Sequence, residues 1–86
     1  MRKIKVLEVD DAVVVRKIVT DTLGSDPEIE VISAAANGKI ALQKIQQLNP
    51  NILTLDIEMP EMDGIETLNE ARNLYKNLSI IMFSAL

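Results

Sequence analysis

Two short acidic motifs, Asp10-Asp11 and Asp56, carry the side chains of this sequence that are best suited to chemistry. Each closes an apolar run, IKVLEV before the first motif and NILTL before the second, and such runs are typical of buried strands. Parallel strands end at a shared edge of their sheet, so carboxylates far apart in sequence meet there. Like charges held close need a cation to offset them, and oxygen-only sites suit Mg²⁺ or Mn²⁺. The pattern predicts a small divalent-metal site for phosphate chemistry.

The elements that must position these acids alternate between strands and helices. Apolar runs predict strands at 4–9, 29–33, 52–55 and 79–83, and helical spacing predicts helices over 12–23, from Asn37-Gly38 to Leu48, and after Asp63. The order βαβαβαβ predicts a parallel α/β sheet with right-handed crossovers. It also places Ser84 at a strand end beside the acids. The expected buried stripes are Val15, Ile18, Val19 and Leu23, then Ala41, Ile45 and Leu48, then Ile65, Leu68, Ala71 and Tyr75.

Composition excludes several classes of function. The 86 residues, 48% of them apolar, suffice for one domain with a small core. A net charge of −4 with scattered Lys and Arg gives no footprint for nucleic acid or an anionic membrane. The sequence has no Cys and no His, so its chemistry must use carboxylates, hydroxyls and backbone groups. It shows neither a signal peptide nor a membrane span, and we expect a cytoplasmic domain.

Three blocks of sequence resemble a known family. VLEVDD, TLDIEMPEMDG and IIMFSAL are similar to the signature blocks of two-component response-regulator receiver domains, at receiver-like separations. Within that family, SDPEIEVI, AANG and LDIEMPEMDG most resemble the N-terminal receiver of chemotaxis protein-glutamate methylesterases of the CheB type. The resemblance implies a flavodoxin-like (CheY-like) doubly wound sheet, with strand order 2-1-3-4 and incomplete after the fourth strand. It makes residues 1–86 a truncated receiver domain without the catalytic methylesterase domain.

The resemblance also implies roles for single residues. Asp56 corresponds to the phosphoryl acceptor, and Asp11 and Asp56 to carboxylate ligands of Mg²⁺ or Mn²⁺. Asp10 corresponds to a residue that holds the metal through water, and Glu58 to one that offers its backbone carbonyl. Ser84 matches the Thr or Ser that hydrogen-bonds the phosphoryl group.

The same resemblance implies partners. A chemotaxis-type histidine kinase is the expected phosphoryl donor, and the expected effector is a receptor protein-glutamate methylesterase and glutamine deamidase in the parent protein. No residue here matches the family's Lys at the end of a fifth strand, and Glu8 stands where Val is usual.

Alternative interpretations remain open at this stage. Asp11 taken alone is equally suited to cap the first helix. The chain could be a receiver-shaped interaction or dimerisation fragment that does not switch. An aspartate-nucleophile phosphatase also uses acids at strand ends, but its motif separates two Asp by one residue, whereas Asp10 and Asp11 are adjacent.

Two further expectations concern surfaces. Strand alternation puts Glu8 on the same face of the sheet as Val6 and Asp10. Because a buried carboxylate without a partner is costly, we expect that face to be open to water. A role for Glu8 as an extra metal ligand is the less favoured alternative. The strand SIIMF is expected at a sheet edge without charge or shielding, which predicts self-association through the fourth strand.

Overall fold

The computed structural model describes residues 3–57 and 64–83, and its elements follow the predicted order. Four parallel strands form one sheet in the order β2-β1-β3-β4, which confirms the predicted flavodoxin-like topology. None of the helices it describes is long and apolar enough to cross a membrane. The strands are β1 (Ile4–Val9), β2 (Ile29–Ala35), β3 (Ile52–Asp56) and β4 (Ser79–Phe83), and the helices are α1 (Val13–Gly24), α2 (Gly38–Leu48) and α3 (Gly64–Leu74).

The core lies on the sheet face that α2 and α3 cover. Alternate residues of the two central strands are fully buried there and pack against small or branched residues of the helices, as expected for a parallel sheet. Helix α2 starts with the Asn37 side chain accepting a hydrogen bond from the Ile40 amide at 2.9 Å. The core cluster consists of Leu7, Val9, Ala35, Ala41, Ile45, Leu53, Leu55 and Ala71.

Helix α1 covers the other face and packs less tightly than predicted. None of its residues is fully buried, and Ile18 is 59% exposed although its spacing predicted burial. The remaining predicted positions, Val15, Val19 and Leu23, are half-buried. Helical spacing identifies which residues share a stripe, but not how much of that stripe a neighbour covers.

Most residues of α2 and α3 that were predicted to be buried are buried or half-buried, but one end residue of each helix is exposed. Leu48 is 38% exposed, and Ile65 is 54% exposed. Strand β2 extends to Ala35, two residues beyond the predicted end, and it pairs with β1 as far as Val9 across a register shift between Val6 and Leu7. Asp63, predicted to cap α3, lies outside the described residues.

Gly64 fixes how closely α3 approaches the end of β3. A Cβ at this position would lie 2.3 Å from the Cα of Ile57 and 2.4 Å from the carbonyl oxygen of Asp56. Those neighbours are backbone atoms and cannot rotate away. Gly24, at the end of α1, has no atom within 4 Å of an added Cβ.

We therefore expect Gly64→Ala to lower the free energy of unfolding by about 1–3 kcal/mol, the usual cost of overpacking. Gly24→Ala is the matched control and should be neutral or slightly stabilising, because Ala is the better helix former. Urea denaturation of both variants measures the difference. Equal stabilities of the two variants would show that α3 does not need this close approach.

Candidate metal and phosphoryl site

Three carboxylates meet at the carboxyl edge of the sheet. Asp10 follows β1, Asp56 ends β3, and Asp11 lies in the turn before α1. One carboxylate oxygen from each can be chosen so that all three lie within 4.8 Å of one another. Asp10 and Asp56 are buried and Asp11 is exposed, so Asp11 marks the open side of this acidic cluster. The sequence predicted this meeting from the parallel topology.

Asp10 is held firmly by its neighbours. Its backbone amide donates to the carbonyl oxygen of Ala35 on β2 at 3.0 Å. Its side-chain Oδ1 accepts a hydrogen bond from the amide of Ala12 at 2.8 Å. The other oxygen, Oδ2, is buried and receives no hydrogen bond from the described residues. A buried carboxylate oxygen without a donor is costly and calls for a cation or a proton.

Charge and burial act together on Asp10. Burial is the main cause that raises the pKa of Asp10 above its usual value of 3.8, although the Ala12 amide offsets part of this. The negative charges of Asp56 and Asp11 raise the pKa further. The three carboxylates form an oxygen-only set, and a set of this kind fits Mg²⁺ or Mn²⁺.

Backbone contacts position the end of β3. The amide of Ile57 donates to the carbonyl oxygen of Phe83 at 3.1 Å, and the amide of Gly64 donates to the carbonyl oxygen of Ile57 at 3.3 Å. Asp56 thus lies between the end of β4 and the start of α3. The two other predicted site residues, Glu58 and Ser84, lie outside the described residues.

Glu8 differs from its sequence-based expectation. It is fully buried instead of open to water, and its Oε2 accepts a hydrogen bond from Thr20 Oγ1 on α1 at 2.5 Å. It is not a member of the acidic cluster found among the described residues. Alternation along β1 predicted its face correctly, but it could not reveal a partner on the following helix.

Burial also raises the pKa of Glu8 above its usual value of 4.5. The hydrogen bond from Thr20 lowers it, the charge of Asp10 raises it, and Arg16 lowers it slightly. Because the folded state then binds a proton more tightly than the unfolded state, this carboxyl costs no stability below about pH 4.5. Its cost grows as the pH rises through the folded-state pKa.

We therefore expect Glu8→Gln to gain stability over the parent as the pH rises, because Gln keeps the shape and cannot ionise. Urea denaturation without Mg²⁺, from below pH 4.5 to neutrality, measures the difference in unfolding free energy between the two proteins. A difference that is constant or shrinks with rising pH would contradict the burial of an ionisable Glu8.

The chain belongs to the response regulator receiver domain family, whose sequence profile matches residues 6–86. This confirms the family predicted from the three sequence blocks. The chain is 56% identical over 86 residues to a protein-glutamate methylesterase/protein-glutamine glutaminase from a Nocardioides species, which confirms the predicted resemblance to the CheB type. That match covers 100% of this chain and 24% of the relative, so the chain spans about a quarter of the length of such relatives.

Solved structures agree in fold. The response regulator domain of Thermotoga maritima CheB superposes with a TM-score of 0.92 at 38% identity, over 99% of this chain and 63% of that one. A chain in the CheX-CheY-BeF3-Mg²⁺ complex from Borrelia burgdorferi superposes with a TM-score of 0.91 at 40% identity, over 99% of this chain and 64% of that one. In both comparisons the sequences are similar as well as the folds, at 38% and 40% identity.

Proposed function

We propose that this chain is a phosphoacceptor receiver in which Asp56 takes a phosphoryl group from a chemotaxis-type histidine kinase. The observation that carries the proposal is the acidic cluster, with one oxygen of each carboxylate within 4.8 Å of the others and Asp10 Oδ2 buried without a donor among the described residues. Such a cluster suits a bound cation and a carboxylate nucleophile better than it suits a structural turn.

Asp10, Asp11 and Asp56 are the residues proposed to hold Mg²⁺. When bound, the ion supplies the positive charge that offsets the repulsion between a carboxylate and a phosphoryl donor. The complex from Borrelia burgdorferi, which contains Mg²⁺ and BeF3, supports this choice of ion by similarity. The predicted contributions of the Glu58 carbonyl and the Ser84 hydroxyl remain predictions.

The chain's own part in the reaction is simple. A carboxylate oxygen of Asp56 attacks phosphorus, and the bond from phosphorus to the donor's leaving group breaks as the new bond forms. The leaving group takes its proton from solvent. The backbone contacts of Ile57 keep the end of β3 in place, so the nucleophile needs little reorganisation before attack.

We propose the effector that this receiver regulates from the names of its relatives. Their names describe a protein-glutamate methylesterase/protein-glutamine glutaminase, and we propose that the receiver regulates such an effector within a longer protein. The cytoplasmic location expected from the sequence stays a prediction, as does the boundary of the truncated domain at residues 1–86.

Phosphotransfer tests the proposal. A chemotaxis-type histidine kinase, first autophosphorylated with radiolabelled ATP, should pass its label to this chain in the presence of Mg²⁺. The control is the same kinase with the Asp56→Asn variant. Label that stays on the kinase with the parent chain would contradict a receiver role and favour the non-switching fragment.

The exposed edge of the sheet favours a second property, the self-association predicted from sequence. Strand β4 pairs with β3 on one side only within the described residues, and Ile81 on it is 55% exposed. The opposite edge strand, β2, carries the exposed Glu30 and an irregular register, two features that discourage pairing. Strand β4 has no charged residue.

We expect the 86-residue polypeptide to form a dimer through β4 at micromolar concentration. Ile81→Lys should convert it to monomer, since a charge on the edge strand disfavours pairing. Ile65→Lys is the matched control, because Ile65 is 54% exposed and belongs to helix α3 instead of the edge strand. Light scattering after size exclusion decides, and a folded parent monomer would refute the prediction.

A further inference from the structure

Glu8 and Thr54 form a polar layer beneath the acidic cluster. They are register partners on β1 and β3, and each lies two residues before an acid of the cluster, Asp10 or Asp56, on the same face of its strand. Both side chains are buried. The Oε1 atom of Glu8 and the Oγ1 atom of Thr54 receive no hydrogen bond from the described residues. A glutamate in this position costs stability, so its presence calls for a reason.

The weak apolar packing of helix α1 on the sheet explains why a buried glutamate is useful at position 8. None of its residues is fully buried, and its N-cap residue, Ala12, provides no side-chain cap. Thr20 lies in the second half of the helix and donates its hydroxyl hydrogen to Glu8 Oε2. This hydrogen bond ties α1 directly to the central strand β1. Where apolar burial is small, a bond to a carboxylate becomes a large share of the contact energy.

The position of α1 determines where Asp11 lies. Asp10 is tied to β2 through its amide, and the first backbone bond of the helix runs from the Arg16 amide to the Ala12 carbonyl oxygen. Asp11 lies between these two anchors, one on the sheet and one on the helix. It is exposed, so packing around its side chain does little to hold it. A shift of α1 along the sheet therefore moves Asp11 relative to Asp10 and Asp56.

We propose that the hydrogen bond between Thr20 and Glu8 positions α1 on the sheet and thereby sets the Mg²⁺ affinity of the acidic cluster. This inference rests on the proposed metal site and adds two positioning residues to it. Neither residue touches the cation. Glu8 is retained at a cost in stability because it fixes the geometry of the site, the usual exchange between stability and function.

The test removes the hydroxyl without changing any charge. Thr20→Val keeps the shape of Thr20 and deletes the donor to Glu8, and Thr20→Ser restores the donor. Thr22→Val makes the same change two residues along the same helix, where the side chain is exposed like that of Thr20. For each protein, calorimetry measures the Mg²⁺ dissociation constant, and hydrogen exchange measures the protection of the α1 amides. Both readouts are independent of phosphorylation.

We expect Thr20→Val to raise the Mg²⁺ dissociation constant by about three- to tenfold and to speed α1 exchange by a similar factor, the range set by one net hydrogen bond. Thr20→Ser and Thr22→Val should match the parent. In a Glu8→Val background, Thr20→Val should have no further effect, because its partner is already gone.

The outcomes separate this inference from the metal site on which it rests. A parent that binds no Mg²⁺ overturns the proposed site and this inference together. A parent that binds Mg²⁺, with Thr20→Val equal to it in affinity, overturns the positioning role alone. Equal effects of Thr20→Val with and without Glu8 would also overturn it, because Thr20 would then act through another group.

Discussion

Asp56→Asn is expected to abolish labelling of the protein by acetyl phosphate in the presence of Mg²⁺. An amide of the same size fits the same place at the end of β3, but its oxygen is a poor nucleophile and it carries no charge to hold a cation. We expect no detectable phosphorylated species by intact mass, while circular dichroism shows an unchanged fold. The effect is large because the neutral amide oxygen cannot replace the carboxylate as the attacking group.

A matched control makes this result specific. Asp21→Asn removes the same charge from α1, where the Asp21 side chain is 66% exposed and pairs with Lys17 at 3.4 Å. Exposed pairs of this kind contribute little, so this variant should be labelled like the parent. Labelling that persists in Asp56→Asn would move the acceptor to another residue and refute the assignment.

Asp11→Asn is expected to give the second large effect, on metal binding. Asp11 is exposed, so the substitution leaves the core intact and removes one of three carboxylates from the acidic cluster. We expect the Mg²⁺ dissociation constant to rise by at least roughly tenfold, since loss of an outer-shell partner alone costs about that much.

Titration calorimetry of the parent, Asp11→Asn and Asp21→Asn measures this change. The Asp21→Asn variant shows how much of the effect comes from net charge alone. If Asp11→Asn binds Mg²⁺ as tightly as the parent, Asp11 is not a ligand and the ion is held elsewhere.

The sequence was most informative about what depends on strand order. Runs such as IKVLEV and NILTL are too short for helices, and parallel pairing puts all their carboxyl ends at one edge. The meeting of Asp10, Asp11 and Asp56 could therefore be predicted without any structure. The irregular register between β1 and β2 could not be predicted, because it depends on how the two strands pair.

The sequence was least informative about how helices sit on the sheet. Periodicity predicted Ile18 and Ile65 to be buried, yet both are more than half exposed, since coverage depends on neighbouring elements and not on spacing. The hydrogen bond between Thr20 and Glu8 depends on the rotation of α1 about its axis, and this rotation cannot be predicted from a single sequence. Gly64 is the first residue of α3, but its close approach to the end of β3 is visible only in three dimensions.

Mapping the phosphoryl label tests most directly whether Asp56 accepts a phosphoryl group in a cation-dependent reaction. The protein is incubated with acetyl phosphate, with Mg²⁺ or with EDTA, and the modified residue is located by peptide mass spectrometry after reductive trapping of the acyl phosphate. We predict a single acid-stable, base-labile group on Asp56 that forms with Mg²⁺ and not with EDTA. A label on any other residue, or equal labelling in EDTA, would contradict the account.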